Sequence, residues 1–310
     1  MTEPAPLAAL TGATGFIGRW IARHLVAAGW RVRVLVRPGS EARLPPGVPL
    51  ERHAGSLTRP DGLAAFVAGA SAVVHCAGQV RGITAADFEA VNVAGTRYLA
   101  EAAAAGGVRR FVQISSLAAR EPQLSPYAAS KRQGEQVLAR WRDRLQAIVL
   151  RPPAVYGPGD REMRPLLAAM AQGLIPVLSD PRARFSLLYV EDLARAAVAA
   201  VAADAVGVFE LDDGRPGGYG WPDVRAIAAA YRQKPARLLP IPAALLRGVA
   251  WANLGLAWLG RGMPMLTPAK VNELRHPDWV CDNSRICQAL DWRPQVDFAT
   301  GLALTLSSPV

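Results

Sequence analysis

Tyr127 and Lys131, in the run Tyr127-Ala128-Ala129-Ser130-Lys131, stand four residues apart, a spacing that puts two side chains on one face of a helix. An ammonium beside a phenol lowers its pKa and favours the phenolate, so the pair could pass a proton to or from a carbonyl or an alcohol. The chain has three lysines, Lys131, Lys234 and Lys270, among 35 basic residues, and one of them sits here. An arginine could not deprotonate or replace a compact ammonium. Ser115-Ser116 closes an apolar run, at the kind of strand end where ligands bind in open parallel sheets; a hydroxyl there could bond a substrate oxygen. Thr11-Gly12-Ala13-Thr14-Gly15-Phe16-Ile17-Gly18 follows a predicted strand and opens a predicted helix. Small residues let the backbone turn tightly against a pyrophosphate, and the helix N-terminus offers it free N–H groups. The spacing is GxxGxxG, and Gly12, Thr14, Gly15, Phe16, Ile17 and Gly18 are its candidate cofactor-binding residues. Arg37 comes directly after the second predicted strand, where NAD enzymes carry an acid for the ribose 2′-hydroxyl; an arginine suits the 2′-phosphate of NADP instead. NADP(H) is the expected cofactor, with NAD(H) the alternative.

These residues need a scaffold, and the pattern supplies one. Strand-like runs at 7–11, 31–36, 50–53, 72–76, 110–115 and 146–151 alternate with helical periods at 16–28, 87–105 and 126–144. Such alternation implies βαβ units and a doubly wound parallel sheet in an α/β fold. After Arg151 the regularity weakens: 185–190 and 206–211 read as strands, 191–203 as a helix, and a Gly/Pro cluster at 214–222 leads into a mostly helical remainder. The expected division is a dinucleotide-binding part at 1–153 and 185–212, and a smaller substrate-binding part at 154–184 and 213–310.

Composition narrows the class. With 51% hydrophobic and 19% charged residues in 310, intrinsic disorder is excluded. Three cysteines, Cys76, Cys281 and Cys287, build no disulfide framework, and with four scattered histidines they offer no metal site of ordinary spacing. Residues 1–6 include Glu3 and no basic stretch, so they do not read as a signal peptide, and no apolar run is long enough to span a bilayer. A cytoplasmic protein is expected. The net charge of +10 comes almost wholly from dispersed arginines, and no nucleic-acid motif accompanies it, so nucleic acid is not an expected partner.

Taken together, TGxxGxxG at Thr11–Gly18, YxxxK at Tyr127–Lys131 and a serine at the end of the fifth strand resemble the extended branch of the short-chain dehydrogenase/reductase superfamily. Val73-Val74-His75-Cys76-Ala77-Gly78 is similar to the family's fourth strand, whose end touches the cofactor and brings in Cys76, Ala77 and Gly78. Asn92, in Val91-Asn92-Val93-Ala94-Gly95-Thr96, matches its structural and proton-relay asparagine, and Ser116 its catalytic serine. Arg151-Pro152-Pro153-Ala154-Val155-Tyr156-Gly157-Pro158 is similar to the segment that closes over the nicotinamide, which implies contacts from Pro152, Pro153 and Val155. Two departures stand out. Gly55-Ser56-Leu57 carries Ser56 where the family often has an aspartate beside adenine, and Tyr189 stands where His is common, which is expected to alter the substrate pocket. The resemblance implies a Rossmann fold and hydride transfer, with Tyr127 the proton donor, Ser116 on the carbonyl oxygen and Lys131 on the ribose and the Tyr127 pKa. Members are commonly dimers through a four-helix bundle, here from 87–105 and 126–144.

The branch holds enzymes of nucleotide sugars and enzymes of hydrophobic ketones. Ser116-Leu117-Ala118-Ala119 lacks the acid pair of the dehydratases. The region 238–266 is almost wholly apolar, with Trp251 and Trp258 seven apart and Arg247 and Arg261 at its flanks. A helix there is a buried core element, a lipid-lined pocket wall, or a surface element on an anionic membrane through 242–262. The expected function is NADPH-dependent reduction of a hydrophobic ketone such as a 3-keto sphingolipid. A nucleotide-sugar epimerase with tightly held NAD is the alternative, for which Arg182, Arg184 and Arg275-His276-Pro277-Asp278 would grip a diphosphate. A non-catalytic cofactor-sensing or assembly subunit is the third reading.

Overall fold

The computed structural model describes residues 5–260 and 262–308, so Glu3 and Arg261, both weighed above, lie outside the described residues. Strands β1 (Leu7–Thr11), β2 (Arg31–Val36), β3 (Glu51–Ala54), β4 (Ala72–His75), β5 (Arg110–Ile114) and β6 (Gln146–Arg151) follow in sequence. Four short strands come next, β7 (Ala154–Tyr156), β8 (Leu174–Val177), β9 (Arg184–Phe185) and β10 (Leu187–Tyr189), and then β11 (Gly207–Glu210) returns to the sheet. The seven-stranded order is β11-β6-β5-β4-β1-β2-β3, and every pair is parallel. The doubly wound sheet expected from the alternation is the one that forms. β1, β4 and β5 are buried along their whole length, which is why they read as short apolar runs and not as alternating ones.

Helices α1 (Phe16–Ala27), α2 (Leu63–Val67), α3 (Ala85–Glu89), α4 (Thr96–Ala105), α5 (Pro126–Ala139), α6 (Arg164–Ala171) and α7 (Val190–Ala202) accompany them. One face of the sheet packs on Ile21 and Leu25 of α1 with Leu193 and Ala197 of α7; the other packs on Phe66, Leu99 and Leu138 of α2, α4 and α5. The expected single helix at 87–105 is broken by a π-turn over Ala90–Gly95 between α3 and α4. Asn92 lies inside that turn, and such turns recur at functional sites.

The rest of the chain adds α8 (Trp221–Arg232), β12 (Arg237–Pro240), α9 (Ala243–Trp258), α10 (Pro268–Leu274), β13 (Asp278–Trp279), α11 (Ser284–Leu290) and α12 (Phe298–Ser307). Its strands form the parallel pairs β10–β7, β12–β8 and β13–β9. A separate small core gathers Tyr156, Leu167, Tyr189, Tyr219, Phe298 and Leu302. Ile286, Leu290 and Trp292, assigned above to the substrate-binding part, instead pack in the core of α1 and α7, because Trp292 Nε1 donates to the Asp192 carbonyl on α7 at 3.1 Å. No helix among the described residues is long and apolar enough to cross a membrane.

Candidate active site

The turn between β1 and α1 is set by close approach. Gly12 sits at φ +83°, and a Cβ there would meet the Ala77 nitrogen at 2.6 Å; one on Gly18 would meet the Gly12 oxygen at 2.0 Å. The glycines press the turn against the end of β4 and against the first turn of α1. At the head of α1, N-cap Gly15 supplies no side-chain cap and the first turn carries no acid. The N–H groups at Phe16, Ile17 and Gly18 are thereby left for an anion. Thr14 is half-buried beside them. Around the turn the charge is positive. Burial lowers the Arg19 pKa, and repulsion from Arg161, Arg23 and Arg43 lowers it further. Arg37 is exposed at the end of β2, and among the described residues no carboxylate pairs with any of these five arginines.

A one-way chain of hydrogen bonds ties this cradle to the next elements. Ala77 N–H donates to Thr11 Oγ1 at 3.2 Å, and Thr96 Oγ1 donates to the Asn92 carbonyl at 2.8 Å. Between them His75 Nδ1 lies 2.8 Å from Thr11 Oγ1 and Nε2 3.0 Å from Thr96 Oγ1. Thr96's proton is spent on the Asn92 carbonyl, so Nε2–H donates to Thr96 Oγ1, and in the neutral imidazole Nδ1 accepts from Thr11. Burial agrees, pushing the His75 pKa down to about 3. Cys76 is likewise a neutral wall: burial pushes its thiol up to about 12.

The Asn92 side chain accepts from Gln79 N at 2.7 Å and donates to the Gln79 carbonyl and to Ser130 Oγ, each at 2.9 Å. Its carboxamide is fully used, so it positions the β4 loop against α5. Gly134 makes this possible, since a Cβ there would sit 2.6 Å from the Asn92 carbonyl oxygen. α5 starts at Ser125, whose Oγ caps Ala128 N at 3.0 Å, followed by Pro126. One turn beyond Lys131, the buried Glu135 receives Ser115 Oγ at 2.6 Å and Arg151 through Nε at 2.9 Å and Nη2 at 2.5 Å. Glu135, Arg151 and Ser115 therefore lock the ends of β5 and β6 to α5, which sets Ser116 relative to Tyr127.

Tyr127 and Lys131 share a face of α5, yet the expected lowering of the tyrosine does not occur. Burial pushes the Tyr127 phenol up to about 12, the Ser116 hydroxyl offsets part of this, and Glu273 adds to the rise. Lys131 donates to the Ile114 carbonyl at 2.8 Å, and burial lowers its own pKa to about 8. Held on that carbonyl, the ammonium does not sit on the phenol. Tyr127 is thus a protonated acid at neutral pH, suited to giving a proton to a carbonyl oxygen. Gly78 faces this group: a Cβ there would lie 3.3 Å from Asn92 Oδ1 and 3.6 Å from Lys131 Nζ.

Beside Tyr127 a cleft opens between the β4 loop and α9–α10. Ile83, Phe88, Leu254, Pro264, Met265 and Pro268 wall it, with Val80 and Trp251 at the rim. One corner is polar. Glu273 receives the Ser125 hydroxyl and Lys270 Nζ, the latter at 2.6 Å, and Lys270 Nζ lies 5.5 Å from the Tyr127 ring centre. Nothing in the local sequence pattern marks Ser125 or Glu273, whereas the scarcity of lysine is a signal for Lys270.

A profile of the NAD dependent epimerase/dehydratase family matches residues 8–211. The ceramide reductase of Caulobacter vibrioides (strain NA1000 / CB15N) is 39% identical over 295 residues, covering 93% of this chain and 90% of its own length. The chain belongs to the NAD dependent epimerase/dehydratase family. It is an NAD(P)-dependent oxidoreductase of the extended short-chain dehydrogenase/reductase type. The 2-alkyl-3-oxoalkanoate reductase of Stenotrophomonas maltophilia (strain K279a) is 29% identical over 297 residues, covering 87% of this chain and 89% of its own. The UDP-glucose 4-epimerase of Thermotoga maritima shares the fold, with a TM-score of 0.74 at 20% identity and 97% coverage of both chains.

The family's nicotinamide cofactor fits the residues present. The uncapped α1 terminus and the arginines near it match a pyrophosphate, Gly78 lies beside Lys131 Nζ, and Val155 packs partly buried against the main core. Leu57 is buried against Gly95, Pro152 is buried with its carbonyl accepting Leu117 N–H, and Ser56 is half-buried with its hydroxyl on Thr58 Oγ1 at 2.9 Å. Tyr189, expected to alter the pocket, does not line the cleft; it packs edge-on to Tyr156 in the small core.

Proposed function

We propose that this family member is an NADPH-dependent reductase of a hydrophobic, lipid-like ketone, with a 3-keto sphingolipid as the preferred substrate class. The observation that carries the reading is the cleft beside Tyr127: apolar walls with one polar corner at Lys270, Glu273 and Ser125. Apolar walls suit alkyl chains, and a single polar corner suits an amide or hydroxyl a few bonds from the ketone. The bound nicotinamide would supply the hydride. Tyr127 donates its proton to the ketone oxygen, Ser116 hydrogen-bonds the same oxygen, and Lys131 would hold the nicotinamide ribose. Arg37, exposed just past the end of β2, supports a 2′-phosphate and hence NADPH. The Caulobacter relative, named for ceramide, supports the same substrate class.

The epimerase alternative finds less support. Among the described residues the cations lining the cleft are paired, Arg81 with Glu162 and Lys270 with Glu273. Arg184 spends its guanidinium on the Gly217 and Gly218 carbonyls, at 2.5 and 2.8 Å.

The test is NADPH oxidation with N-acyl-3-ketosphinganine in detergent. The expected result is turnover that falls about 1,000-fold in Tyr127→Phe while NADPH still binds. UDP-sugar epimerisation without net cofactor change would overturn it.

A further inference from the structure

We infer that α9 is a docking surface for an anionic lipid bilayer and that the cleft takes its substrate from that surface. An apolar helix read from sequence alone suggests burial, but α9 buries only Leu246, Ala250 and Ala257. On the other side Leu259 is 79%, Trp258 67%, Trp251 63% and Leu245 56% exposed. Helical spacing sorts these residues. Leu245, Val249 and Leu256 form one row, and Arg247, Trp251 and Trp258 a second row roughly 160° around the helix, with Gly248, Ala252, Gly255 and Leu259 on the exposed arc between them. An exposed arc with aliphatic side chains along one edge and arginine and tryptophan along the other is the pattern of a helix lying in a membrane interface. At sixteen residues α9 is about 24 Å long, which suits lying in the interface plane.

Charge selects the occupant. Between Asp223 and Glu273 the sequence carries seven cations and no carboxylate. Arg225, Lys234, Arg237 and Arg247 are exposed. Arg247 is on α9 itself, and a stretch of chain with this excess of positive charge attracts anionic headgroups. A second copy is the weaker occupant, because a two-fold interface would set these cations against their own equivalents. Exposed α4 and α5 positions, by contrast, carry Arg97, Arg132, Gln133, Gln136 and Arg140, and no large apolar side chain is exposed there.

Position links the surface to the chemistry. Trp251 and Leu254 of α9 line the cleft beside Tyr127, and exposed Val80 faces them across its mouth. A ketone whose chains lie in a leaflet then has an apolar route from membrane to Tyr127. This delivery step rests on the lipid-ketone reading above; the docking itself does not.

The test is flotation of the full chain with phosphatidylcholine vesicles, with and without phosphatidylglycerol, for wild type and a Trp258→Asp/Leu259→Asp double variant. Neither residue lines the cleft. Wild type is expected to float with the anionic vesicles, less so at high salt, and the variant to bind at least tenfold more weakly. Turnover of ethyl 3-oxobutanoate in water should be equal in both, whereas turnover of vesicle-borne N-acyl-3-ketosphinganine should fall in the variant. Binding to neither vesicle, equal binding by both proteins, or a wild-type dimer that the variant splits without any vesicle binding would overturn the docking. Vesicle binding lost in the variant, with no ketone reduced by either protein, would leave docking standing and refute the reductase reading.

Discussion

The α5 side of the active site and the α9–α10 side are built on opposite plans. On the α5 side nearly every polar atom has a partner: Glu135 holds Arg151 and Ser115, Asn92 holds Gln79 and Ser130, and His75 joins Thr11 to Thr96. Such networks fix geometry, because a buried polar group without its partner is costly. On the other side α9 contributes three buried residues, and a small cluster of Leu246, Ala250 and Val271 anchors it. On the proposed function, reaction geometry falls to the rigid wall and substrate choice to the loosely held one.

The sharpest way to break this contrast is to remove one group from each wall. Glu135→Ala strands a buried Arg151 and should lower unfolding free energy by about 3–5 kcal/mol in a denaturant titration. Val249→Ser on the exposed stripe should stay within about 0.5 kcal/mol. Equal losses would show that the two walls are equally held. Next in size, Arg37→Ser should raise KM for NADPH roughly tenfold, with KM for NADH unchanged, as loss of a charge-assisted phosphate contact of about 1.5 kcal/mol implies. A parallel change for both cofactors would remove Arg37 from the phosphate site. Lys270→Met should raise KM about fivefold for a ketone carrying a neighbouring amide and leave a plain alkyl ketone unchanged, the scale of one hydrogen bond. An equal shift for both ketones would mean the corner only braces α10.

Acidity supplies the smallest test. Tyr127 keeps its proton to about pH 12, whereas Lys131, lowered by burial to about 8, loses its charge as pH rises through that value. Reduction should therefore decline along one limb centred near pH 8 in the free enzyme. A limb first appearing at pH 10 or above would place the titration on another group.

Legibility in the sequence follows the same division. β1, α1 and β2 could be read because their signals are local: a buried apolar run, a glycine turn, a helical period. Tyr127, Lys131 and Ser116 could be singled out for the same reason. The other wall depends on distant partners. Ser125 and Glu273 meet across 148 residues, and β8 finds β12 with four residues each, too short to carry a pattern. The exposure of α9 was equally hidden, since an apolar helix has one sequence pattern whether or not a neighbour covers it. The spacing did not show the Tyr127 pKa because it depends first on the burial of the phenol, and Lys131 Nζ is spent on the Ile114 carbonyl, 17 residues away.

The π-turn at Ala90–Gly95 holds one residue more than a straight helix would need there. Removing a single residue from it would restore even winding between α3 and α4 and leave Leu99, Ala100 and Ala103 facing the sheet. Asn92 would lose its place between Gln79 and Ser130. The reverse step is equally short: one added codon in an unbroken helix sets an asparagine against α5 without repacking the interior. The fold could therefore gain or lose this part of its machinery by a change of length alone, with the surrounding core left as it was.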